Sequence, residues 1–198
     1  MVKLTKLTKN NQCKKILIKL SQQRSDTLVA KIIPYLNQKD KILDIGCGFA
    51  TISKQLQEKN YQLTGVDIKN ISLYDDLQPV VYDGKKLPFN DDSFDVSLIL
   101  TVLHHTDDPT VIIKEAARVS KRIIIIEDII TTVYQKYLTY SMDCLLNFEF
   151  FNHPHTNKTK EGWERLFQTL GLQVKDRRID NWFKYFISGT YYLEKTRG

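Results

Sequence analysis

Two glycines one residue apart, Gly46 and Gly48, follow an apolar run in the segment KILDIGCGFATIS, residues 41–53. Glycine lacks a Cβ, so the chain can turn tightly there and a ligand can approach its backbone. The apolar-periodic stretch that follows reads as a helix. Its first N–H groups and its dipole favour a polar or anionic group, as in a dinucleotide site. The third glycine of that fingerprint is replaced by Thr51, and an ordinary tight strand-to-helix turn would also use two glycines. Three acids stand around this corner. Asp44 lies two residues before Gly46. Asp67 ends the next strand, about 20 residues past the glycines, where a carboxylate accepts both hydroxyls of a ribose; taken alone it reads as a helix cap. Asp83-Gly84 follows the third strand and taken alone is a common turn pair. His104 and His105 come just past the fourth strand. Histidine titrates near neutrality and suits removal of a proton from a hydroxyl or amine. One ring is expected to face a ligand, with His104 favoured, and the other to cap the turn into Asp107 and Asp108.

The elements that must position these residues alternate along the chain. Strand-like runs cover 41–45, 61–66, 79–82, 94–100, 122–127, 172–179 and 183–193. Helix-like runs cover 25–36, 50–59, 109–119, 129–147 and 159–170. Ser25 or Asp26 is a candidate cap for the first helix, and Pro34 should end or bend it. Asp108 followed by Pro109 supplies an N-cap and a first-turn proline. Thr159 caps the last helix, and Gly171 stops it. Continuous apolar strands between helices predict an α/β fold, a three-layer αβα sandwich. Its Rossmann-like, seven-stranded sheet is expected to be mostly parallel. No helix separates the last two strands, so one of them should run antiparallel at the edge.

The segments ILDIGCGFA, GVD, YDGKKLPFNDDSFDVSLILTVLHHTDDP and EAARV, in this order and at this spacing, resemble successive motifs of class I S-adenosylmethionine-dependent methyltransferases. They are most similar to the branch, methyltransferase type 11-like, that methylates small molecules. The resemblance covers roughly residues 25–195. It implies S-adenosylmethionine as cofactor and S-adenosylhomocysteine as product. Asp44, Gly46 and Gly48 would hold the methionine part, Asp67 the ribose hydroxyls, and Ile68 would pack on the adenine. Asp83 would accept from the adenine amino group beside the Gly84 backbone, and the Leu100 carbonyl would face the methionine amino group. The histidine pair would stand at the mouth of the pocket. Two departures are visible. The glycine-rich segment usual before the fifth strand is absent, and Ala50 stands where relatives often carry a third glycine.

The acceptor-specific part is expected in a lid insertion at about 127–158. Glu127, Tyr134, Asn147, Glu149, Phe151 and His153 are the candidate acceptor contacts; the phenylalanines there would equally serve to seal a core. His153 and His155 suggest a metal site only in combination with His104, His105 and acids, and no metal is assigned. Cys13, Cys47 and Cys144 form no CxxC pair or zinc spacing, so reduced thiols and a cytoplasmic location are expected.

Residues 1–24 carry seven cations and no acid, so of the net charge of +6 the remainder of the chain contributes −1. The chain reads as a basic N-terminal arm, 1–24, on a methyltransferase domain, 25–198. The arm is either a solvated lead-in, the favoured reading, or a contact for an anionic partner.

The expected activity is methyl transfer to an O or N atom of a small molecule, with no membrane span. A nucleic-acid methyltransferase using the arm and a non-catalytic cofactor-binding scaffold are the alternatives. The near-neutral body lacks the basic face that phosphate contacts need, and the fourth strand lacks the Asp/Asn-Pro-Pro-aromatic signature of base methylation. The oligomeric state is left open.

Overall fold

The run Ile123–Ile126 shows how the sheet is built. Alternate side chains of a strand point to opposite faces, and here both faces are buried. Ile123 and Ile125 pack into one core with Leu43, Ile45, Ile99, Ile113, Trp163 and Phe167. Ile124 and Ile126 pack into another with Ile42, Leu98, Leu28, Ile32 and Leu56. Each such side chain, once buried, contributes about 1.5–3 kcal/mol, which is why a strand covered on both sides carries no polar alternation.

The computed structural model describes residues 11–130, 156–183 and 186–196. Its elements are α1 (Asn11–Ile32), β1 (Lys41–Ile45), α2 (Thr51–Glu58), β2 (Gln62–Asp67), β3 (Val80–Val81) and β4 (Phe94–Leu100), followed by α3 (Pro109–Val119), β5 (Ser120–Ile129), α4 (Lys160–Thr169), β6 (Leu172–Phe183) and β7 (Phe186–Lys195). The seven strands are ordered β3-β2-β1-β4-β5-β7-β6. β1 to β5 pair in parallel, and β7 is antiparallel to both β5 and β6. The antiparallel strand expected at this edge is therefore β7, with β6 outside it. From β1 the chain builds outward through β2 and β3, then restarts on the other side at β4. The carboxyl ends of β1 and β4 thus form the switch point where open α/β sheets bind ligands. α1 and α2 cover one face, α3 and α4 the other.

Most element boundaries fall close to the sequence expectation. Asp108 accepts from Thr110 N at 2.8 Å and Thr159 Oγ1 from Gly162 N at 3.1 Å, each as a helix cap. Gly171, at φ 69°, ends α4. α3 passes directly into β5 without the glycine-rich segment, at the amino end of the strand and away from the switch point.

The first helix is the exception, because it begins by Asn11 and not near Ser25. No proline or glycine interrupts residues 11–32. Ser25, the candidate cap, instead donates to Ser21 O at 2.8 Å and shares a hydrogen bond with the Thr51 hydroxyl at 2.9 Å, inside the helix and against α2. Pro34 then ends α1 in a 3-10 turn, Ile33–Tyr35. No helix among the described residues is long and apolar enough to cross a membrane. The expected helix at 129–147 and most of the lid lie outside the described residues.

Candidate active site

The two glycines at the end of β1 do different work. Gly46 has φ 74°, and a Cβ there would lie 2.6 Å from Val102 Cγ2. This glycine lets the turn after β4 close onto the end of β1. Gly48 has φ 52°, and a Cβ there would meet nothing within 4 Å. It faces open space, while its N–H donates to Asp67 Oδ2 at 2.8 Å. Ala50 also holds a left-handed backbone, φ 59°, at the entry to α2, a conformation in which glycine is the less strained residue.

Asp44 shares the β1 face of Ile42 and is 3% exposed. Ser53, in the first turn of α2, donates to its Oδ2 at 2.6 Å. Burial pushes its carboxyl up to about 6 and the nearby Asp67 charge adds to this, against the Ser53 hydrogen bond. A buried carboxylate with one neutral donor is under-compensated, and a cationic ligand group would relieve it.

Asp67 ends β2. Its Oδ2 accepts from Gly48 N and its Oδ1 from Lys69 N at 3.2 Å. A carboxylate has about four acceptor positions, so each oxygen retains capacity for a hydroxyl. Next to it, Ile68 leaves 53% of its surface exposed. Its Cγ2 is 3.2 Å from where a Cβ of Gly84 would be, at φ 76°. Asp83 lies on the same rim and is exposed. Its Oδ1 accepts from Lys85 N at 2.8 Å and Lys86 N at 3.0 Å, and these bonds hold its carboxyl below the usual range. Asp83 therefore does make a turn, yet both bonds fall on one oxygen. The loop beyond it is stapled by Arg118, which donates to Leu87 O at 3.0 Å and Phe89 O at 2.8 Å. Glu115 in turn accepts from Leu87 N and from Arg118. The glutamate and arginine of EAARV thus fix the loop that carries the rim.

At the end of β4 the chain turns sharply. Leu100 is buried, and Thr101 follows at φ 58° with its N–H on Ile126 O at 2.7 Å. Glu127 of β5, read from the sequence as an acceptor contact, is instead wholly buried. Its Oε1 accepts from Val102 N at 2.8 Å and Leu103 N at 2.6 Å, and its Oε2 pairs with His104 Nδ1 at 2.7 Å. β4 ends at Leu100, paired in parallel with Ile126, while β5 runs on to Ile129, so the carboxylate one residue past the isoleucines lands beneath the turn.

His104, the ring expected at the ligand, is 1% exposed as a consequence. His105 is half-buried, its ring 4.0 Å from that of His104. Thr156 donates to Leu103 O at 2.9 Å, and Ile130 N to Lys158 O at 3.2 Å. The residues flanking 131–155 thus lie close to one another, and Thr156 is held at the histidine turn. Tyr134, Asn147, Glu149, Phe151 and His153, with His155, lie outside the described residues. Among the described residues no cluster of acids, histidines or cysteines has the makings of a metal site.

Sequence reasoning did not single out Ser53, Val102 or the Glu115–Arg118 staple. The last had a visible signal in the i, i+3 spacing of opposite charges on α3. The other two depend on which elements meet.

The set fits a ligand that joins a cation, a sugar diol and a flat base. Asp44 is an under-compensated buried carboxylate, Gly48 opens onto space, Asp67 keeps acceptor capacity, and Ile68 is an exposed apolar platform. A family model described as "Methyltransferase domain" matches residues 43–123, the stretch that holds these residues. A ubiquinone biosynthesis O-methyltransferase from Idiomarina loihiensis is 32% identical over 92 residues, 41% of this chain and 38% of that protein. The chain thus spans well under half the length of that relative.

A solved S-adenosylmethionine-dependent methyltransferase from Methanosarcina mazei has a TM-score of 0.70 at 22% identity, covering 84% of this chain and 97% of its own. Magnesium protoporphyrin IX methyltransferase from Synechocystis PCC 6803, solved with bound SAH, has a TM-score of 0.64 at 18% identity, covering 94% and 88%. At such identities the likeness is one of fold. The matched segment, 43–123, is thus similar to a methyltransferase domain, and the fold is that of solved S-adenosylmethionine-dependent methyltransferases.

Proposed function

We propose that this protein transfers a methyl group from S-adenosylmethionine to an O or N atom of a small-molecule acceptor. The observation that carries the reading is the convergence of Asp44, Gly46, Gly48, Asp67 and Asp83 on the carboxyl ends of β1 to β3, in the motif order of the family. The O-methyltransferase named above, 32% identical over 92 residues, supports an oxygen acceptor. Bound at this rim, the cofactor supplies a methyl on a positively charged sulfur, which needs no further activation. The protein's task is to align, to exclude water and to take a proton where the acceptor carries one. Alignment alone is worth about 7–11 kcal/mol.

In this reading Asp44 and the Leu100 carbonyl receive the methionine ammonium, and Gly46 and Gly48 admit the chain of the amino acid. Asp67 takes the ribose diol. Ile68 supports the adenine, with Asp83 and the Gly84 backbone at its edge. His105, the less buried ring, is the candidate base. His104 is a positioning residue, its Nδ1 committed to Glu127. Residues 131–155 are the acceptor-binding segment in this reading, with Tyr134, Asn147, Glu149, Phe151 and His153 as the candidate contacts.

The test is calorimetric titration with S-adenosylmethionine and S-adenosylhomocysteine. Micromolar affinity that falls about tenfold or more in Asp67→Ala, with the variant still cooperatively folded, is the expected result. With phenolic and amine acceptors, His105→Ala should lower turnover by about 10²–10⁴ and leave cofactor affinity alone. No binding by the unaltered protein would overturn the reading.

A further inference from the structure

α1 carries apolar side chains on two faces, and the core uses only one of them. Towards its end Leu28, Val29 and Ile32 are buried in the core with Ile42, Leu56 and Ile124. Nearer its start Ile16 and Leu20 leave 59% and 73% of their surface exposed. Residues four apart lie one turn apart on the same helix face, so these two form one aliphatic strip. Lys15 and Lys19 run beside it with the same spacing and are exposed as well.

A single exposed leucine or isoleucine is ordinary. The charge around this pair sets it apart. Residues 1–24 hold seven cations and no acid. The first acid of the chain, Asp26, accepts from Gln55 Nε2 at 2.7 Å and so is turned to α2. Lys14 pairs with Asp75; among the described residues Lys15 and Lys19 have no acidic partner. An aliphatic strip bordered by lysines matches the headgroup layer of an anionic bilayer. The aliphatic groups enter the acyl boundary, and the lysine stems lie along it while their ammonium groups reach the phosphates. A nucleic acid would engage the lysines and leave Ile16 and Leu20 in water.

We propose that this outer face of α1, with Ile16 and Leu20 at its centre and Lys15 and Lys19 along one side, docks the protein on the surface of an anionic lipid bilayer. The helix lies in the interface and does not cross it. One turn beyond Leu20, Arg24 donates to Thr101 Oγ1 at 3.0 Å, the first residue past β4. The docking face therefore ends beside the switch point, and a docked molecule holds that mouth close to the lipid. In the methyl-transfer reading this favours an acceptor that partitions into membranes, but docking itself stands independently of that reading.

The experiment is vesicle flotation of the full chain, with phosphatidylcholine alone and with phosphatidylcholine and phosphatidylglycerol in equal parts. Two double variants are compared, Ile16→Gln with Leu20→Gln and Lys15→Gln with Lys19→Gln. The parent should bind the anionic vesicles at least about tenfold more tightly than the neutral ones, since each cation near an anionic surface is worth about fivefold. Added salt should weaken that binding. Each double variant should lose about tenfold or more and melt at the temperature of the parent. Loss in the lysine pair alone, with the aliphatic pair bound as tightly as the parent, would make the face a general polyanion site and overturn the proposal. Equal binding to both kinds of vesicle, or to neither, would overturn it too. A lowered melting temperature in the aliphatic pair would assign Ile16 and Leu20 to packing, with the same consequence.

Discussion

Two carboxylates are buried towards the carboxyl ends of the parallel strands on either side of β4, and the protein treats them in opposite ways. Glu127, in β5, is wholly buried and has two backbone N–H groups and an imidazole as partners. Asp44, in β1, is almost as buried and has one serine hydroxyl. Burial of a charge is tolerated when hydrogen bonds replace its water. Glu127 meets that condition and fixes the turn that carries His104 and His105. Asp44 falls short of it, which raises its carboxyl to about 6. A fold that compensates one acid fully and leaves the other short reserves the second for something else. In the proposed reading this is the ammonium of the cofactor.

The largest expected effect breaks the compensated site. Glu127→Ala strands two buried N–H groups and the imidazole, and should cost roughly 3–5 kcal/mol. Urea denaturation measures it. A loss below about 1 kcal/mol would mean the turn does not depend on this carboxylate.

The opposite sign is expected at Asp44. Its carboxyl titrates near 3.8 when unfolded and near 6 when folded. The folded chain therefore holds the proton more tightly between those values. Stability from this group is fully present below about pH 4 and is lost as pH rises through about 6. Asp44→Asn removes that slope. It should be more stable than the parent at pH 7 by on the order of 2–3 kcal/mol and indistinguishable from it below about pH 4, while binding S-adenosylmethionine more weakly. Denaturation curves from pH 4 to 7 check the first part and calorimetry the second. A variant less stable than the parent at pH 7 would erase the contrast between the two acids.

The smallest effect sharpens the comparison. Ser53→Ala takes away the one donor that opposes the upward shift. It should cost about 1 kcal/mol at neutral pH, less in acid, and should move the titration of Asp44 to higher pH. Asp44 carboxyl chemical shifts followed by NMR across pH would report it.

Much of this site was legible in the linear sequence because its parts are local. A strand end, a glycine pair and a helix start are contiguous, so Asp44, Gly46 and Gly48 needed only the run KILDIGCGFATIS to be recognised. Asp67 and Asp83 follow because each closes the next apolar run, and parallel strands bring successive ends to one rim. The caps at Asp108 and Thr159 were readable for the same reason, since a cap and its helix adjoin.

Tertiary structure alone decided the remainder. Glu127 looked like a polar residue at the mouth of a pocket; only the register of β5 against β4 put it beneath the turn, and with it the ring of His104. Ser25 looked like a helix start; only the packing of α1 on α2 gave its hydroxyl to Thr51 and let the helix run on from Asn11. Arg24 looked like one more charge in a solvated arm, and only the crossing of α1 over the end of β4 set it beside Thr101. Periodicity and turn chemistry report what a residue does with its chain neighbours. The partner of a buried charge or of an unpaired cation comes from another element, and the sheet order and helix packing choose that partner.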